Sequence, residues 1–217
     1  SGMPDFNLND FGKVSDIKYY RNPFVEDVTE FGSVIKPLVM AGALDLGVLT
    51  PETKYIDKGS VVVDKKVINN FDKKARGEAT MQTVLDQSLN TGMVFVQSQM
   101  GHDNLRSYFK NYGIGEKTGI DLPSETSGLI KNLESPRNIE YANAAFGQGI
   151  SMTPIEAMRA FSSLANGGNL IVPHLVKQIK YDDGTSKTLS YEPIRTGIIK
   201  KETSETITRM LVHVFDS

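Results

Sequence analysis

The sequence predicts a fold rich in helix and poor in strand, and three observations support this. Apolar residues recur at i, i+3, i+4 and i+7 spacing, as at Leu105, Tyr108, Phe109 and Tyr112. Short β-type runs are few, with Val61-Val62-Val63 the clearest. No group of such runs is large enough to build an organising sheet.

With 217 residues the chain can bury a full core and form one domain, or two small ones. Hydrophobic residues make up 39% and charged residues 23%, ordinary for a globular protein. A net charge of −2 gives no electrostatic reason to expect nucleic acid, and no long basic run points to a membrane surface. No stretch approaches the ~18 apolar residues of a membrane span. The absence of cysteine excludes disulfides, thiolate metal sites and cysteine nucleophiles. His102, His174 and His213 lack ligand spacing, so no bound metal is expected. Ser1-Gly2 reads as an expression scar, and both ends of the chain read as cut.

Residues 3–29 are polar and turn-rich, an irregular lead-in. A helix should start close to Ser33, because Pro37 is tolerated only in a first turn. It should run to Leu46-Gly47 and be buried all round, since Leu38, Val39, Met40, Ala41, Ala43, Leu44 and Leu46 leave no polar face. A helix over 78–87 with Met81, Val84 and Leu85 inward is broken by Ser88-Leu89-Asn90-Thr91-Gly92. Another helix follows over 93–100, its start capped by Asn90 or Thr91 on the simplest reading and its end by Gly101. Asp103 should cap the next helix, which Gly113 ends. Residues 113–135 read as a long loop, and Ser135-Pro136 opens a helix to about Ala145. Thr153-Pro154-Ile155-Glu156 is a capping box with proline at the first helical position. That helix should turn Ile155, Met158, Phe161, Leu164 and Ala165 inward. Asp183-Gly184 marks a two-residue hairpin turn. The last helix, over 202–215, should bury Ile207, Met210, Leu211 and Val214.

The chemical signal begins at Ser33 and Lys36. At i and i+3 of a helical turn their side chains share one face, so the amine can reach the hydroxyl. Serine is a poor nucleophile until a neighbouring base takes its proton. Lysine can be that base only if its pKa falls from ~10.4. The adjoining helix start favours negative charge on the reacting oxygen. Ser-x-x-Lys occurs twice more, at Ser15–Lys18 and Ser107–Lys110, and both read as solvated pairs. Ser88-Leu89-Asn90, the only Ser-x-Asn, occupies a tight break that can push both side chains into a cleft. A second hydroxyl can relay a proton, and an amide can hold a peptide carbonyl.

Ser-x-x-Lys, Ser-x-Asn and Lys-Thr/Ser-Gly together mark penicillin-binding proteins and serine β-lactamases. The wider text resembles the transpeptidase domain of class B penicillin-binding proteins over nearly the whole chain. The resemblance runs through Pro4-Asp5-Phe6-Asn7, Arg21-Asn22-Pro23, Glu30 to Pro37, Gln87 to Gly92, Gly115 to Pro123, Phe146-Gly147-Gln148-Gly149-Ile150, Leu164 to Gly168 and Pro173 to Val176. It implies an α+β penicillin-binding protein transpeptidase or serine β-lactamase-like fold, here mostly the helical part with an incomplete antiparallel sheet. It implies Ser33 as nucleophile, Lys36 as its base, Ser88 as proton relay and Asn90 as the substrate-binding amide. No cofactor is implied. The implied partners are a D-Ala-D-Ala stem peptide, β-lactam antibiotics, and cell-wall synthesis or divisome membrane proteins. The implied location is the extracytoplasmic face of a bacterial membrane, anchored by an N-terminal segment that this chain lacks.

Phe31 stands where the family usually has proline, which should alter loop stiffness and spare the chemistry. Lys117-Thr118-Gly119, the only Lys-Thr-Gly, lies 27 residues past Asn90 in a glycine-rich loop and matches a separate family segment. The family's catalytic strand would follow the last helix, so residues 1–217 read as a partial transpeptidase domain, inactive or weakly active alone. The missing strands should leave apolar surface open on the central helix, making the chain oligomeric, strand-swapped or paired with a second chain. The competing readings are a non-catalytic peptidoglycan- or partner-binding module and a β-lactam-sensing or -hydrolysing relative.

Overall fold

A computed structural model describes residues 7–216. Ser1-Gly2, read above as an expression scar, and the Pro4-Asp5-Phe6 part of the first resembling segment lie outside the described residues. The lead-in is more ordered than its polarity suggests. Two 3₁₀ turns, Leu8–Lys13 and Ile17–Tyr20, precede a one-turn helix, α1 (Pro23–Glu26), whose first turn is capped by Asn22. Val25 is fully buried, and Thr29 pairs with Met152.

A 3₁₀ turn, Gly32–Ile35, leads into α2 (Lys36–Leu46), with Pro37 in its first turn and Gly47 ending it at φ +71°. Five further helices are α3 (Met81–Asp86), α4 (Asn90–Met100), α5 (His102–Asn111), α6 (Asn138–Ala144) and α7 (Pro154–Ala165), and α8 (Lys201–Asp216) is the last. α4, α5, α7 and α8 pack around α2, burying Leu38 through Ala43. The central helix is therefore closed on all sides, not open as expected, because the amphipathic α8 supplies its last wall. The apolar surface left open lies on the outer side of α7 and α8, where Phe215 is 92% exposed beside Phe161 and Leu211. Asp45, near the end of α2, fastens α8: its Oδ1 accepts from the Lys200 N–H (2.6 Å) and from Thr203 Oγ1 (2.8 Å).

Among the described residues the strands form three separate two-stranded antiparallel ladders. β1 (Lys54–Asp57) pairs with β4 (Gly77–Thr80), and β2 (Ser60–Val63) with β3 (Lys66–Asn69). Only β2 contains the run read as β-type. The others expose Lys54, Lys66 and Glu78, while β1 turns Asp57 inward, and they are strands through pairing, not through apolar content. Because Gly77–Thr80 is used in β4, α3 begins at Met81, not at 78, with Thr80 as its cap. β5 (Gln178–Lys180) and β6 (Ser186–Thr188) form the third hairpin. Its connection is three residues, not two, since Tyr181 N–H bonds the Thr185 carbonyl and Gly184 takes φ +83°.

Two helix readings need correction. Asp103 lies inside α5 and makes no cap bond, because Gly101 at φ +78° already turns the chain between α4 and α5. α7 begins with the expected capping box but turns a different face inward. Glu156, Ala157, Arg159, Ala160, Ser163 and Leu164 are buried, while Met158 is 61% exposed. Polar residues can face inward there because the 113–128 loop offers unpaired backbone groups. Glu156 accepts from Gly115 and Gly128 N–H, and Arg159 donates to the carbonyls of Gly113, Glu116 and Lys117.

Candidate active site

The turn before α2 is held from outside. Gly32 N–H donates to the Gly147 carbonyl (3.3 Å), and Glu30 accepts from Gly149 N–H (3.0 Å). Gly147 has φ +80°, and a Cβ there would come 2.0 Å from the Gly32 carbonyl oxygen. The Phe146–Gly149 loop thus fits against the Ser33 turn at a distance only glycine permits. Ser33 is exposed, and its Oγ has no hydrogen-bond partner among the described residues. Its carbonyl accepts from the Lys36 N–H, the bond that keeps the two residues one turn apart.

Lys36 is 2% exposed at the start of α2. Its ammonium donates to the Ser88 carbonyl (2.6 Å), Ser88 Oγ (2.9 Å) and Asn90 Oδ1 (2.8 Å). Three acceptors saturate three N–H bonds. No bond between Lys36 Nζ and Ser33 Oγ occurs in this arrangement. Burial lowers the Lys36 pKa to about 8, so roughly a tenth of the amine is neutral at pH 7. The neutral form gives up one N–H, releases one acceptor, and gains a lone pair that can turn to Ser33.

The bend that meets Lys36 is built by the end of α3. Leu89 N–H bonds the Val84 carbonyl (2.9 Å) and Ser88 N–H the Leu85 carbonyl (3.1 Å), a Schellman closure. Its left-handed position, where glycine is usual, is Ser88 at φ +52°. That conformation presents the hydroxyl and the carbonyl of one residue to the same ammonium. α4 then starts at Asn90, three residues earlier than expected, and neither Asn90 nor Thr91 is its cap. Asn90 Nδ2 donates to the Asn69 carbonyl (3.0 Å), which fixes the amide between β3 and Lys36. A cleft of about 510 Å³ opens beside Asn90, lined by Lys66, Ile68, Asn69, Arg137, Phe146 and Gln148. Among the described residues no group of acidic or histidine side chains is arranged to hold a metal.

The structure therefore brings Lys36, Ser88 and Asn90 into direct contact, with Ser33 one turn before Lys36 on the same segment. The other two Ser-x-x-Lys pairs are exposed. Asp57, Asn70 and Thr91, which support Asn90 from behind, were not legible as site residues. The one local hint was Thr91's position next to Asn90.

A family model described as the penicillin binding protein transpeptidase domain matches residues 1–217. The chain belongs to that family. Stage V sporulation protein D of Bacillus subtilis is 36% identical over 210 residues, covering 95% of this chain and 32% of that protein. Peptidoglycan D,D-transpeptidase MrdA of Acinetobacter baumannii is 30% identical over 167 residues, covering 72% of this chain and 25% of that protein. Among solved structures, penicillin binding protein 3 from Mycobacterium tuberculosis, complexed with aztreonam, superposes with a TM-score of 0.82 at 26% identity. That match covers 89% of this chain and 43% of the other. The chain spans about a third or less of the length of these curated relatives.

The α+β fold of the transpeptidase family is thus present. Lys117-Thr118-Gly119 lies in a loop, where Glu125 accepts from the N–H groups of Thr118 and Gly119 and from the Thr118 hydroxyl. No hydrogen bond among the described residues joins it to Lys36, Ser88 or Asn90.

Proposed function

We propose that this chain carries the nucleophile half of a peptidoglycan D,D-transpeptidase centre that works through a serine acyl-enzyme. Ser33 Oγ adds to the carbonyl carbon between the two terminal D-alanines of a stem peptide while the neutral Lys36 amine takes its proton. The C–N bond then breaks. Ser88 Oγ passes a proton to the departing D-alanine amine, and Ser33 is left as an ester. An amine of a neighbouring strand attacks that ester, forms the cross-link and restores the hydroxyl. Asn90 holds the substrate's backbone. β-Lactams acylate Ser33 as mimics of the donor peptide. The chemistry requires no metal or organic cofactor.

The observation that carries this reading is the dry Lys36 amine in contact with Ser88, one helical turn from an unpaired serine hydroxyl. A solvated Ser-x-x-Lys has no reason to bury its cation. The names of the relatives add the substrate class. Residues 1–217 form part of a transpeptidase domain, and among the described residues no strand bears Lys-Thr/Ser-Gly. That strand would supply an oxyanion donor, each worth ~10²–10³ in rate, so these residues alone turn over slowly. The reading places the protein on the extracytoplasmic side of a bacterial membrane, held by a membrane segment outside these residues. There it would work beside cell-wall synthesis or divisome proteins.

The test is covalent labelling of the protein that carries this chain with a fluorescent penicillin, followed by peptide mapping. Label on Ser33, lost in Ser33→Ala and strongly slowed in Lys36→Ala, is expected. Unlabelled protein that still binds peptidoglycan would point to a binding module, and fast release of hydrolysed antibiotic to a β-lactam hydrolase.

A further inference from the structure

Asp57 is 1% exposed. A carboxylate stays ionised at that depth only if donors saturate its oxygens. Oδ1 accepts from Gly59 N–H (2.9 Å), Asn70 Nδ2 (3.0 Å) and Thr91 Oγ1 (2.7 Å). Oδ2 accepts from Asn70 Nδ2 (3.0 Å) and Arg76 N–H (2.9 Å). All of these donors are neutral. Burial alone would raise the aspartate pKa, yet the bonds from Gly59, Thr91, Arg76 and Asn70 hold it below its ordinary value.

Two of these donors lead to the Ser88–Asn90 bend from opposite sides. Thr91 is the second residue of α4, and its N–H cannot be satisfied within its own helix. It donates to Asn70 Oδ1 at 3.2 Å, while Leu89 provides no side-chain cap. The Asp57–Asn70 pair therefore caps α4 from another element, with the negative charge at the positive end of the helix. On the other side, Arg76 Nε donates to Gln87 Oε1 at 2.8 Å, and Gln87 ends α3. Residues 87 and 91 flank Ser88, Leu89 and Asn90. The Asn90 amide is itself tied to the carbonyl of Asn69, the neighbour of Asn70.

We infer that Asp57 is a positioning residue for the acyl-transfer centre: through Thr91 and Asn70 on one side and Arg76 on the other, it fixes where Ser88 and Asn90 stand around the Lys36 amine. What the amine does there rests on the function proposed above; the positioning does not. A simple brace between β1 and β4 would give Asp57 the same burial but no influence on Lys36, and this separates the two.

The experiment follows the Lys36 amine by NMR titration of its side-chain ¹³Cε and ¹⁵Nζ signals, and the β-lactam acylation rate of Ser33, on the purified protein. Thr91→Val removes the hydroxyl at nearly constant volume, and Thr91→Ser keeps it. Asp57→Asn is the stronger lesion, since it sets an amide against the Arg76 and Asn70 donors. In Thr91→Val the bend loosens and water reaches the amine, so its titration should move up by about one pH unit and acylation at pH 7 should fall about tenfold. Thr91→Ser should restore both to within about twofold of the parent. A folded Thr91→Val protein whose Lys36 titrates as in the parent overturns the inference, even if Asp57→Asn does not fold. If the titration moves but the parent never acylates, positioning stands and the acyl-transfer reading falls. If the parent acylates but the titration does not move, the reverse holds.

Discussion

Lys36 Nζ lies 2.9 Å from Ser88 Oγ and 2.6 Å from the carbonyl oxygen of the same residue, across 52 positions of sequence. Both oxygens face the ammonium because Ser88 has a left-handed backbone, at φ +52°. The cation and the unusual conformation account for each other: the turn supplies two acceptors at one point, and the buried charge needs them.

The two contributions of Ser88 can be separated. Ser88→Gly and Ser88→Ala both delete the hydroxyl, and only glycine accepts the conformation without strain. Ser88→Gly should be about 1 kcal/mol more stable than Ser88→Ala in urea unfolding. Both should acylate with penicillin more slowly by roughly 10². Equal stability of the two variants would remove backbone strain from the account.

The Lys36 amine predicts a pH dependence with a definite sign. Its pKa is about 8 in the folded chain and ~10.4 unfolded. Below pH 8 both states hold the proton, and the folded state bears the cost of burying it. Between about 8 and 10.4 the unfolded chain keeps a proton that the folded chain has released, so stability rises with pH. Relative to Lys36→Met, the unfolding free energy of the parent should climb by on the order of 2–3 kcal/mol from pH 7 to pH 10.5. Parallel curves for the two proteins would refute this.

Gly147→Ala should displace the nucleophile without touching it. The new Cβ meets the Gly32 carbonyl oxygen and must also occupy φ +80°. A loss of about 3 kcal/mol is expected, together with slower labelling of Ser33. Gly12→Ala, where nothing lies within 4 Å, should change stability by less than about 0.5 kcal/mol. Thermal melts of the pair provide the comparison.

Glu156→Gln tests the buried polar face of α7. Glu156 Oε1 accepts from two backbone N–H groups, and Oε2 from the Thr153 N–H and hydroxyl. An amide in place of the carboxylate would turn an NH₂ toward one of these pairs of donors. Destabilisation of about 2–3 kcal/mol is expected from denaturant titration, with faster amide exchange over 113–128. An unchanged midpoint would show that the loop does not depend on this carboxylate.

What the sequence made legible was local. Ser33, Lys36 and Pro37 lie within one turn, and the α7 capping box and the α5 stripe are complete within a dozen residues. The Ser88-Leu89-Asn90 break could be read as a break, but its left-handed geometry could not, because serine does not announce a position where glycine is the rule. β1 and β4 escaped notice because partners 20 to 26 residues apart, Asp57 with Gly77 to Lys54 with Thr80, make them strands, and β3 because its lysine and asparagine hide a hairpin with the valine run of β2. Glu156 and Arg159 look like a solvated face until a loop 28 to 46 residues away presents bare backbone groups to them. The Asp57–Asn70–Thr91 cap depends on separations of 13 and 34 residues, set only by the folded chain.

The Asp45 latch on α8 also has a consequence for synthesis. Asp45 and Lys200 are 155 residues apart, and at about 5–20 residues per second a ribosome takes roughly 8–30 s to cover that distance. For that interval the α2 face destined for α8 has no lid, so among the described helices the one carrying Lys36 waits longest for a covering partner. Sequestration of the nascent chain by a chaperone should therefore matter most before residue 203 emerges.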